Sequence, residues 1–290
     1  MSAHYDIVMI GHVSRDIIED PNGKQEVFAG PVVYSSASAS RSGARVLVVT
    51  KVADADREEL GIIHENGAEL HAIDSPKTTS IHNHYRTADH ETRDVTLLSA
   101  ATPFALEELP DTDASIYHLA GLFVGEIPDA LIEPLSRRGN VALDAQGVVR
   151  HNRDGAMRSE DWPAKRELLP FVHSFKTDAA EAELLSGEGD RERAAGILLE
   201  MGASEVMVTH NTEVLLANEH GIYRAPLTPR NQSGRTGRGD TCFAAYLARR
   251  LTHDTDSALR YAAALVSMKM ESPGVFRATP QDVERRMAGG

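Results

Sequence analysis

The sequence predicts an α/β fold: a three-layer α-β-α sandwich with a mostly parallel sheet and a small β-strand lid. Short apolar runs rich in Val and Ile alternate with segments of helical period, as buried parallel strands and their crossover helices do. Two polar segments, 12–30 and 78–100, instead have period-two character, which favours the half-exposed strands of a lid. No repeat or Pro/Ser-rich linker divides the 290 residues, so we expect one domain, 1–290, that includes both lid segments.

The apolar runs and the helical segments follow one another in a regular order along the chain. Most of the apolar runs lack polar alternation, as strands that are buried on both faces should. The predicted strands are Asp6–Ile10, Arg45–Thr50, Ser115–Leu119, Val141–Leu143, Val172–Phe175 and Glu205–Thr209. The predicted helices are Val32–Ser42, Asp56–Asn66, Ala130–Arg138, Asp178–Leu185, Glu192–Met201, Thr241–Leu251, Asp256–Glu271 and Pro280–Met287.

The composition argues against several classes of protein. The formal net charge is −13 and no run of Lys or Arg occurs, so neither a nucleic acid nor an anionic membrane is expected as the main partner. Cys242 is the only cysteine, which excludes an internal disulfide and a Cys-rich zinc site. The first residues turn polar within about ten positions and lack a basic start, so we expect a cytoplasmic protein without a signal peptide.

The stretch GRTGRGDTCFAAYLARRL, which begins at residue 234, combines glycines, a carboxylate and the start of a helix. Phe243 and Leu247, at four-residue spacing, predict an amphipathic helix, so Asp240 is expected at or just before its first turn. Because Asp is a favoured N-cap residue, a capping role for Asp240 is the simplest alternative. A cap needs no nearby glycines, however, whereas Gly237 and Gly239 allow successive backbone N–H groups to converge on an anion.

The helix dipole adds positive potential at the same point. The pattern therefore favours a phosphate that is being transferred, with Asp240 beside it to accept a hydroxyl proton. A carboxylate at a helix N-terminus is expected to be a weak base, which is tolerable if the proton leaves late in the reaction.

Three stretches resemble the ribokinase-like (PfkB) family of small-molecule kinases. The segment TGRGDTCFAAYL is similar to the family's C-terminal signature, which implies that Asp240 is the catalytic base and that Gly237, Arg238 and Gly239 form the anion hole. The segment FAGPVVYSSASASRSGARVLVVTKVADAD resembles the first signature, and KTDAAEAELLSG resembles an Asn-x-x-Glu motif that organises metal and phosphates. The resemblance covers essentially the whole chain and implies ATP and Mg²⁺ as cofactors.

The same resemblance assigns the nucleotide and metal contacts. Asp178 takes the Asn position and Glu181 the Glu position of the middle motif, so Glu181 is expected to act on the metal indirectly, through water. Thr209 follows a predicted strand where the family has a nucleotide-phosphate loop, and Gly274 lies in a turn that would flank adenine.

Two positions depart from the family's C-terminal signature. Gly234 and Arg235 stand where the usual motif has Asp-Thr, and in many relatives that Asp helps to hold a monovalent cation. Activation by potassium is therefore not expected. Arg238 replaces a small residue of the anion hole, which leaves two interpretations: its side chain points to solvent, or it neutralises ATP phosphates.

The candidate acceptor residues are polar and lie near predicted strand ends. Asp16 matches the family's N-terminal substrate-binding Asp, while Gly30 and Tyr34 lie in the first signature. Asp144 and Gln146 follow the strand Val141–Leu143, at the edge where open α/β sheets bind ligands.

These segments look like the branch that includes myo-inositol kinases. We therefore expect a kinase that transfers the γ-phosphate of ATP to a polyol or sugar hydroxyl, with myo-inositol or a related cyclitol as the first candidate acceptor. The alternatives are a nucleoside or other sugar kinase of the same family, or a non-catalytic sensor. A homodimer through the lid is also an expectation of the resemblance.

Three lid histidines give a weaker metal-site hypothesis. His82 and His84 alternate on a predicted strand and so share a face, and His90 follows on the same segment. Exposed strand histidines are the simpler interpretation. The sequence contains neither an H-E-x-x-H motif nor a P-loop, which argues against zincin and Walker-type sites.

Overall fold

Two β-sheets account for all fifteen strands in the residues that the computed structural model describes, 4–86 and 93–289. Each predicted strand corresponds to an observed one, although the strand predicted at Val172–Phe175 lies further along the chain, at Ser174–Asp178. The strands are β1 (Tyr5–Ile10), β2 (Ser14–Asp20), β3 (Gly23–Ala29), β4 (Val46–Val52), β5 (Glu69–Asp74), β6 (Thr79–Tyr85), β7 (Arg93–Ser99), β8 (Ala114–Leu119), β9 (Asn140–Asp144), β10 (Arg150–Arg153), β11 (Ala156–Ser159), β12 (Ser174–Asp178), β13 (Glu205–Thr209), β14 (Glu213–Asn218) and β15 (Gly221–Pro226).

Nine strands form the main sheet, in the order β15-β14-β13-β12-β9-β8-β1-β4-β5. The seven strands from β13 to β5 pair in parallel, whereas β14 pairs antiparallel with β13 and β15 pairs antiparallel with β14. The mostly parallel α/β sheet expected from the sequence is thus confirmed. Because parallel strands all end at one edge, the residues that follow β9, β12 and β13 meet there.

The helices begin and end within one to three residues of their predicted bounds, with two exceptions. The helices predicted at Asp56–Asn66 and Ala130–Arg138 open with tighter 3₁₀ turns, at Asp54–Leu60 and Asp129–Leu131. Within the described ranges, no helix combines the length and apolar character needed to cross a membrane. The α-helices are α1 (Pro31–Arg41), α2 (Gly61–Glu65), α3 (Ile132–Ser136), α4 (Gln146–Val149), α5 (Lys165–Leu168), α6 (Ala179–Ser186), α7 (Arg191–Glu200), α8 (Arg238–Arg250), α9 (Thr255–Met270) and α10 (Pro280–Ala288).

Helices cover both faces of the main sheet and bury one apolar core on each side. Along β1, Ile7 and Met9 point into the core shared with α1, α8, α9 and α10, whereas Val8 and Ile10 point into the core shared with α3, α6 and α7. All four side chains are buried, which explains the uninterrupted apolar run of this strand.

The second sheet contains the lid strands, in the order β10-β11-β7-β6-β2-β3. Four of them, β2, β3, β6 and β7, come from the two segments that the sequence indicated. The β10–β11 hairpin was not predicted, since RHNRDGAMRS is short and polar and joins the sheet through a single pairing of Ala156 with Thr96. Ile81, Leu122 and Phe123 form a small apolar cluster beneath this sheet.

Candidate active site

A polar cavity of about 340 Å³ opens where the carboxyl ends of β12 and β13 face the start of α8. None of its described lining residues has an aliphatic side chain, which is unusual because ligand cavities are mostly apolar. The lining residues are Tyr85, Gln146, Arg150, Lys176, Asp178, Glu181, Thr209, Asn211, Arg235, Thr236, Gly237, Arg238, Gly239 and Asp240. The cavity therefore contains all three predicted anion-hole residues, the predicted base, and the predicted Asp178, Glu181 and Thr209.

The start of α8 is fixed by a glycine. Gly237 is the N-cap, with a left-handed φ of 74°, and a Cβ at this position would lie 2.3 Å from the Tyr34 ring. Asp240 lies in the first helical turn and makes no capping hydrogen bond. The interpretation of Asp240 as an N-cap is thus wrong, and its carboxylate faces the cavity instead.

Helix α1 supports this position of Asp240 from behind. The Ser38 hydroxyl donates to the Thr241 carbonyl at 2.7 Å, and the Ser35 hydroxyl donates to the Asp240 carbonyl at 3.4 Å. Both serines are buried, so these bonds fix the first turn of α8 against α1.

Burial, and to a lesser extent the nearby Asp144 carboxylate, raise the pKa of Asp240 to about 6, although Lys176, Arg150 and Lys269 oppose the shift. We expected a weak base from the helix N-terminus alone, and this expectation was wrong. Desolvation of the carboxylate outweighs the helix dipole. A carboxylate with this pKa is ionised at neutral pH and is a better proton acceptor than an exposed one.

Lys176 is the main site residue that sequence reasoning missed. Its ammonium lies 3.0 Å from Asp144 Oδ2, and both side chains are buried. Burial lowers the pKa of Lys176, but the surrounding carboxylates raise it well above its ordinary value, so the side chain is charged. The ammonium also lies about 3.0 Å from where a Cβ of Gly239 would be. Lys176 therefore lies directly under residues 234–239, which are called the anion loop from here on.

Asp144 was predicted to bind the acceptor, but it lines neither this cavity nor the smaller one next to it. Its carboxylate is occupied by Lys176 and by the backbone N–H of Gln146, at 3.1 Å. The pairing occurs because β9 and β12 are neighbours in register, with Lys176 opposite Asp144. Asp144 thus orients Lys176. It lies next to the site, as predicted, but it does not line the acceptor cavity.

Three arginines complete the basic lining of the cavity. Arg238 donates to Asn211 Oδ1 at 2.8 Å and Arg235 to the same oxygen at 3.4 Å, so both guanidinium groups lie at the cavity rather than pointing away from it. Of the two interpretations of Arg238, the structure is consistent with phosphate neutralisation. Arg150, at the start of β10, lines both this cavity and the smaller one. Sequence reasoning missed Arg150 because the hairpin that begins with it was not predicted.

Asp178 and Glu181 form a reciprocal capping box at the start of α6. Asp178 Oδ1 accepts from the Glu181 N–H, and Glu181 Oε2 accepts from the Asp178 N–H, each at 2.8 Å. Burial raises the pKa of Glu181 to about 7 despite the opposing charge of Lys176.

The described residues contain no cluster of three His, Cys, Asp or Glu side chains that could hold a metal directly. Mg²⁺ commonly binds phosphates and waters with one or two protein carboxylates, and the Asp178–Glu181 pair at the edge of the polar cavity fits that role.

A second cavity of about 70 Å³ adjoins the first, with Asp240 between them. It brings together four of the five predicted acceptor residues. Asp16 lies on β2, Gly30 at the turn before α1, Tyr34 on α1 and Gln146 on α4. Its other lining residues are Pro31, Ile81, Asn83, Leu122, Arg150, Thr236 and Gly237. Asn83 comes from a lid strand, so the lid forms one wall of this cavity.

Gly274, predicted beside adenine, lies elsewhere. It lines a third cavity of about 560 Å³, which shares Arg235 and Thr236 with the polar cavity but includes neither Thr209 nor Glu181. The structure thus separates Gly274 from the other predicted nucleotide contacts.

The lid histidines do not form a recognisable metal site in the described part of the chain. His82 Nε2 lies 2.9 Å from Glu19 Oε2, and the ring centroids of His82 and His84 are 6.1 Å apart. His90, the third histidine of that hypothesis, lies outside the described residues.

The chain is similar to several kinases of known structure or function, although no protein-family model matches it. One solved structure, a pyrophosphate-dependent kinase in the ribokinase family complexed with a pyrophosphate analog and myo-inositol, is 34% identical with a TM-score of 0.89, covering 96% of this chain and 99% of the other. A cytidine kinase of Thermococcus kodakarensis is 26% identical over 84% of this chain and 87% of its own length. The ribokinase of Arabidopsis thaliana, solved with ribose and ATP, has a TM-score of 0.77 at 16% identity and covers 99% of this chain and 100% of its own.

Proposed function

Because this chain belongs to the ribokinase family of kinases that phosphorylate hydroxyl groups, we propose that it transfers a phosphoryl group from inorganic pyrophosphate to a cyclitol such as myo-inositol. One observation carries the proposal: Asp240 lines both a basic, polar cavity without aliphatic side chains and a smaller cavity whose lining combines polar groups with Pro31, Ile81 and Leu122. The first cavity suits the phosphoryl donor and the second suits the acceptor.

The reaction is an in-line displacement at phosphorus. The acceptor hydroxyl oxygen bonds to the donor phosphorus, the bridging P–O bond breaks, and orthophosphate leaves with the bond's electron pair. The hydroxyl proton passes to Asp240, whose carboxylate is ionised at neutral pH because its pKa is about 6. The N–H groups at Gly237 and Gly239 and the charge of Lys176 stabilise the migrating group.

The donor cavity favours pyrophosphate over the ATP that the sequence resemblance implies. Pyrophosphate and the ATP triphosphate would use the same basic side chains, Lys176, Arg150, Arg235 and Arg238. They differ in the adenosine, which needs apolar or aromatic surface, and Tyr85 is the only aromatic residue among the described lining residues. Arg235 and Arg238, both bonded to Asn211, add charge where the family signature has small or neutral residues.

Mg²⁺ belongs to the proposal as the partner of the donor. When bound, it would neutralise donor charge, and Asp178 and Glu181 would orient it through water. Their capping box fixes both carboxylates at the start of α6, so these two residues require no rearrangement to do so.

The acceptor cavity supports a small polyol. Asp16, Asn83 and Gln146 offer hydrogen-bonding groups, and Gly30 and Tyr34 bring the start of α1 close to them. A nucleoside would require additional space for its base, whereas a cyclitol consists of a ring and hydroxyl groups only.

The test is a two-way panel of donors and acceptors with the full chain. Pyrophosphate, ATP and polyphosphate are each combined with myo-inositol, other inositols, ribose and cytidine, and the phosphorylated product is detected by ³¹P NMR. We expect turnover with pyrophosphate and an inositol in the presence of Mg²⁺. Turnover with ATP but not pyrophosphate would refute the donor, and turnover with cytidine alone would refute the acceptor.

Arginine variants test the donor site directly. Arg238→Ala and Arg235→Ala should each raise the KM for pyrophosphate by about 10- to 100-fold, as the loss of a charge-assisted hydrogen bond does. The matched control is Arg260→Ala on α9, whose side chain is exposed and pairs with Asp256. An unchanged KM in the Arg235 and Arg238 variants would contradict the assignment of this cavity to the donor.

A further inference from the structure

A buried lysine approaches the anion loop from behind. Lys269, at the end of α9, is 2% exposed, and its ammonium donates to the Gly234 carbonyl at 2.5 Å and to the Thr236 carbonyl. These two residues directly precede Gly237, the first residue of the proposed anion hole. A cation this well buried, with backbone carbonyls as partners, is costly unless it has a structural or functional role.

The geometry of the peptide bond determines where the backbone N–H groups of this loop point. The C=O and N–H of a trans peptide unit point in opposite directions. The carbonyls of Gly234 and Thr236 point to Lys269, so the N–H groups of Arg235 and Gly237 in the same peptide units point away from it.

The loop borders two cavities. Lys269 lines the 560 Å³ cavity but not the donor cavity, whereas Arg235 and Thr236 line both and Gly237 lines the donor cavity. The N–H groups that point away from Lys269 thus belong to Arg235 and Gly237, two residues that line the donor cavity.

Gly234 explains how Lys269 reaches the loop. A Cβ at Gly234 would lie 1.9 Å from the Ser272 carbonyl oxygen, and the Gly234 N–H donates to the Met270 carbonyl at 2.8 Å. Any side chain here, including the Asp of the family signature, would push the loop away from the end of α9. The replacement of the signature Asp by Gly234 and the contact of Lys269 with the loop are therefore linked.

The ammonium has no carboxylate within ion-pair distance among the described residues. Burial lowers its pKa to about 8, while the more distant Asp240 carboxylate opposes the shift, so the side chain is still mainly charged at neutral pH. Its positive charge is instead stabilised by the two carbonyls and by the Tyr34 ring, whose centroid lies 5.3 Å from Nζ. The C-terminal end of α9 also favours a cation. The surroundings of Lys269 thus resemble those of a bound cation.

We infer that Lys269 is a positioning residue: a tethered cation that orients the anion-loop amides through their carbonyls and makes the reaction independent of a dissociable monovalent cation. This inference rests on the proposed function, because it assigns the loop to the phosphoryl donor. It also offers a structural basis for the expectation, drawn from the Gly at position 234, that potassium does not activate the protein.

Kinetics with exchanged cations test the inference. Wild-type turnover should change less than twofold when K⁺ is replaced by tetramethylammonium, which is too large to enter the site. Lys269→Ala should lower kcat/KM for pyrophosphate by about 10- to 100-fold, the range for lost charge-assisted hydrogen bonds. Potassium or methylammonium should restore that variant at least fivefold. Wild-type activation by K⁺, or failure of every small cation to rescue the variant, would overturn the inference.

Lys51→Ala is the matched control for the loss of a buried lysine. Lys51 is 1% exposed and donates to Thr102, the Pro103 carbonyl and Glu108, but it lines none of the three cavities. Its variant should lose thermal stability without acquiring a response to potassium or methylammonium. A similar cation response in both variants would show a general effect of cations on stability, and the inference would fail.

Hydrogen–deuterium exchange separates this inference from the proposed function. In Lys269→Met, the amides of residues 235–239 should exchange at least fivefold faster than in the wild type, and Lys51→Met should leave them unchanged. If the wild type turns over no donor, the proposed function fails, and unchanged exchange in Lys269→Met separately refutes the role of Lys269.

Discussion

Replacement of Asp240 by Asn should abolish catalysis while making the protein more stable. The substitution keeps the size of the side chain and its ability to accept a hydrogen bond, but it removes the proton-accepting charge. Because Asp240 makes no capping bond in α8, the helix loses nothing when the carboxylate becomes an amide. A purely structural carboxylate would give the opposite combination, a loss of stability with little change in turnover.

The expected loss of activity follows from the role of a general base. Such groups contribute about 10²- to 10⁴-fold, which corresponds to about 2.7 to 5.4 kcal/mol of transition-state stabilisation. The KM for pyrophosphate should change little in Asp240→Asn, since Lys176 and the arginines remain. In the wild type, turnover should fall as the pH drops through about 6, because the carboxylate becomes protonated. The variant should lack this acidic limb.

The expected gain in stability follows from the same pKa. Burial raises the pKa of Asp240 from 3.8 to about 6, so the folded state holds the proton more tightly than the unfolded state does. Stability therefore decreases as the pH rises from about 4 to 6, and above this window the ionised carboxylate costs up to about 3 kcal/mol. Asp240→Asn removes that cost, and its Tm at pH 7.5 should rise by several degrees.

The two readouts are a pyrophosphate-dependent turnover assay across pH 5 to 9 and thermal denaturation at pH 4 and pH 7.5. The difference in Tm between variant and wild type should be clear at pH 7.5 and small at pH 4, where Asp240 is protonated in the folded protein. Turnover within threefold of the wild type would refute the catalytic role. A lower Tm at pH 7.5 would refute the claim that the carboxylate is held at a cost.

Two further substitutions probe groups around Asp240, and a third probes a buried carboxylate elsewhere in the fold. Lys176→Met should lower turnover at least about 100-fold and destabilise the fold by about 3–5 kcal/mol, since Asp144 becomes an unpaired buried charge. Adding Asp144→Leu should restore the Tm but not the activity. Recovery of both the Tm and the activity would exclude a catalytic role for Lys176. Gly237→Ala should lower kcat/KM about 100-fold, because the new Cβ lies 2.3 Å from the Tyr34 ring and displaces the loop; wild-type kinetics would contradict this. Glu126→Gln should lower stability by about 2 kcal/mol in thermal melts, since the buried carboxylate accepts from the His12 and Leu122 N–H groups at 2.7 Å; an unchanged Tm would contradict that.

The parallel sheet could be predicted from sequence because burial on both faces leaves a simple pattern. The strand Glu205–Thr209 has the same bounds in the prediction and the structure, and each of its residues is buried. Strands at the edges gave weaker signals. Glu69–Asp74 has only partly buried or exposed residues, and it was missed because neither alternation nor a continuous apolar run marks it.

Residues at the site were predictable where a local motif carries them and not where tertiary pairing does. Asp240 and Gly237 belong to one contiguous segment, so their proximity follows from the chain itself. Lys176 follows Phe175 in β12, just beyond the end of the predicted strand, and only the pairing of β12 with β9 shows that it meets Asp144. Lys269 lies inside a helix 35 residues beyond the carbonyl it contacts. Nothing in its local sequence distinguishes it from a surface lysine.

The charges around the proposed donor cavity indicate how an anion could bind there despite the carboxylates. The lining includes four basic side chains, one of which is Lys176, and three carboxylates, those of Asp178, Glu181 and Asp240. Burial raises the pKa of Glu181 to about 7 and that of Asp240 to about 6, so both carboxylates take up a proton more readily than exposed ones do. A polyanionic donor would raise both pKa values further and draw protons into the site. A donor that arrives with a divalent cation avoids that protonation and keeps Asp240 ionised, which is the state that the proton transfer requires.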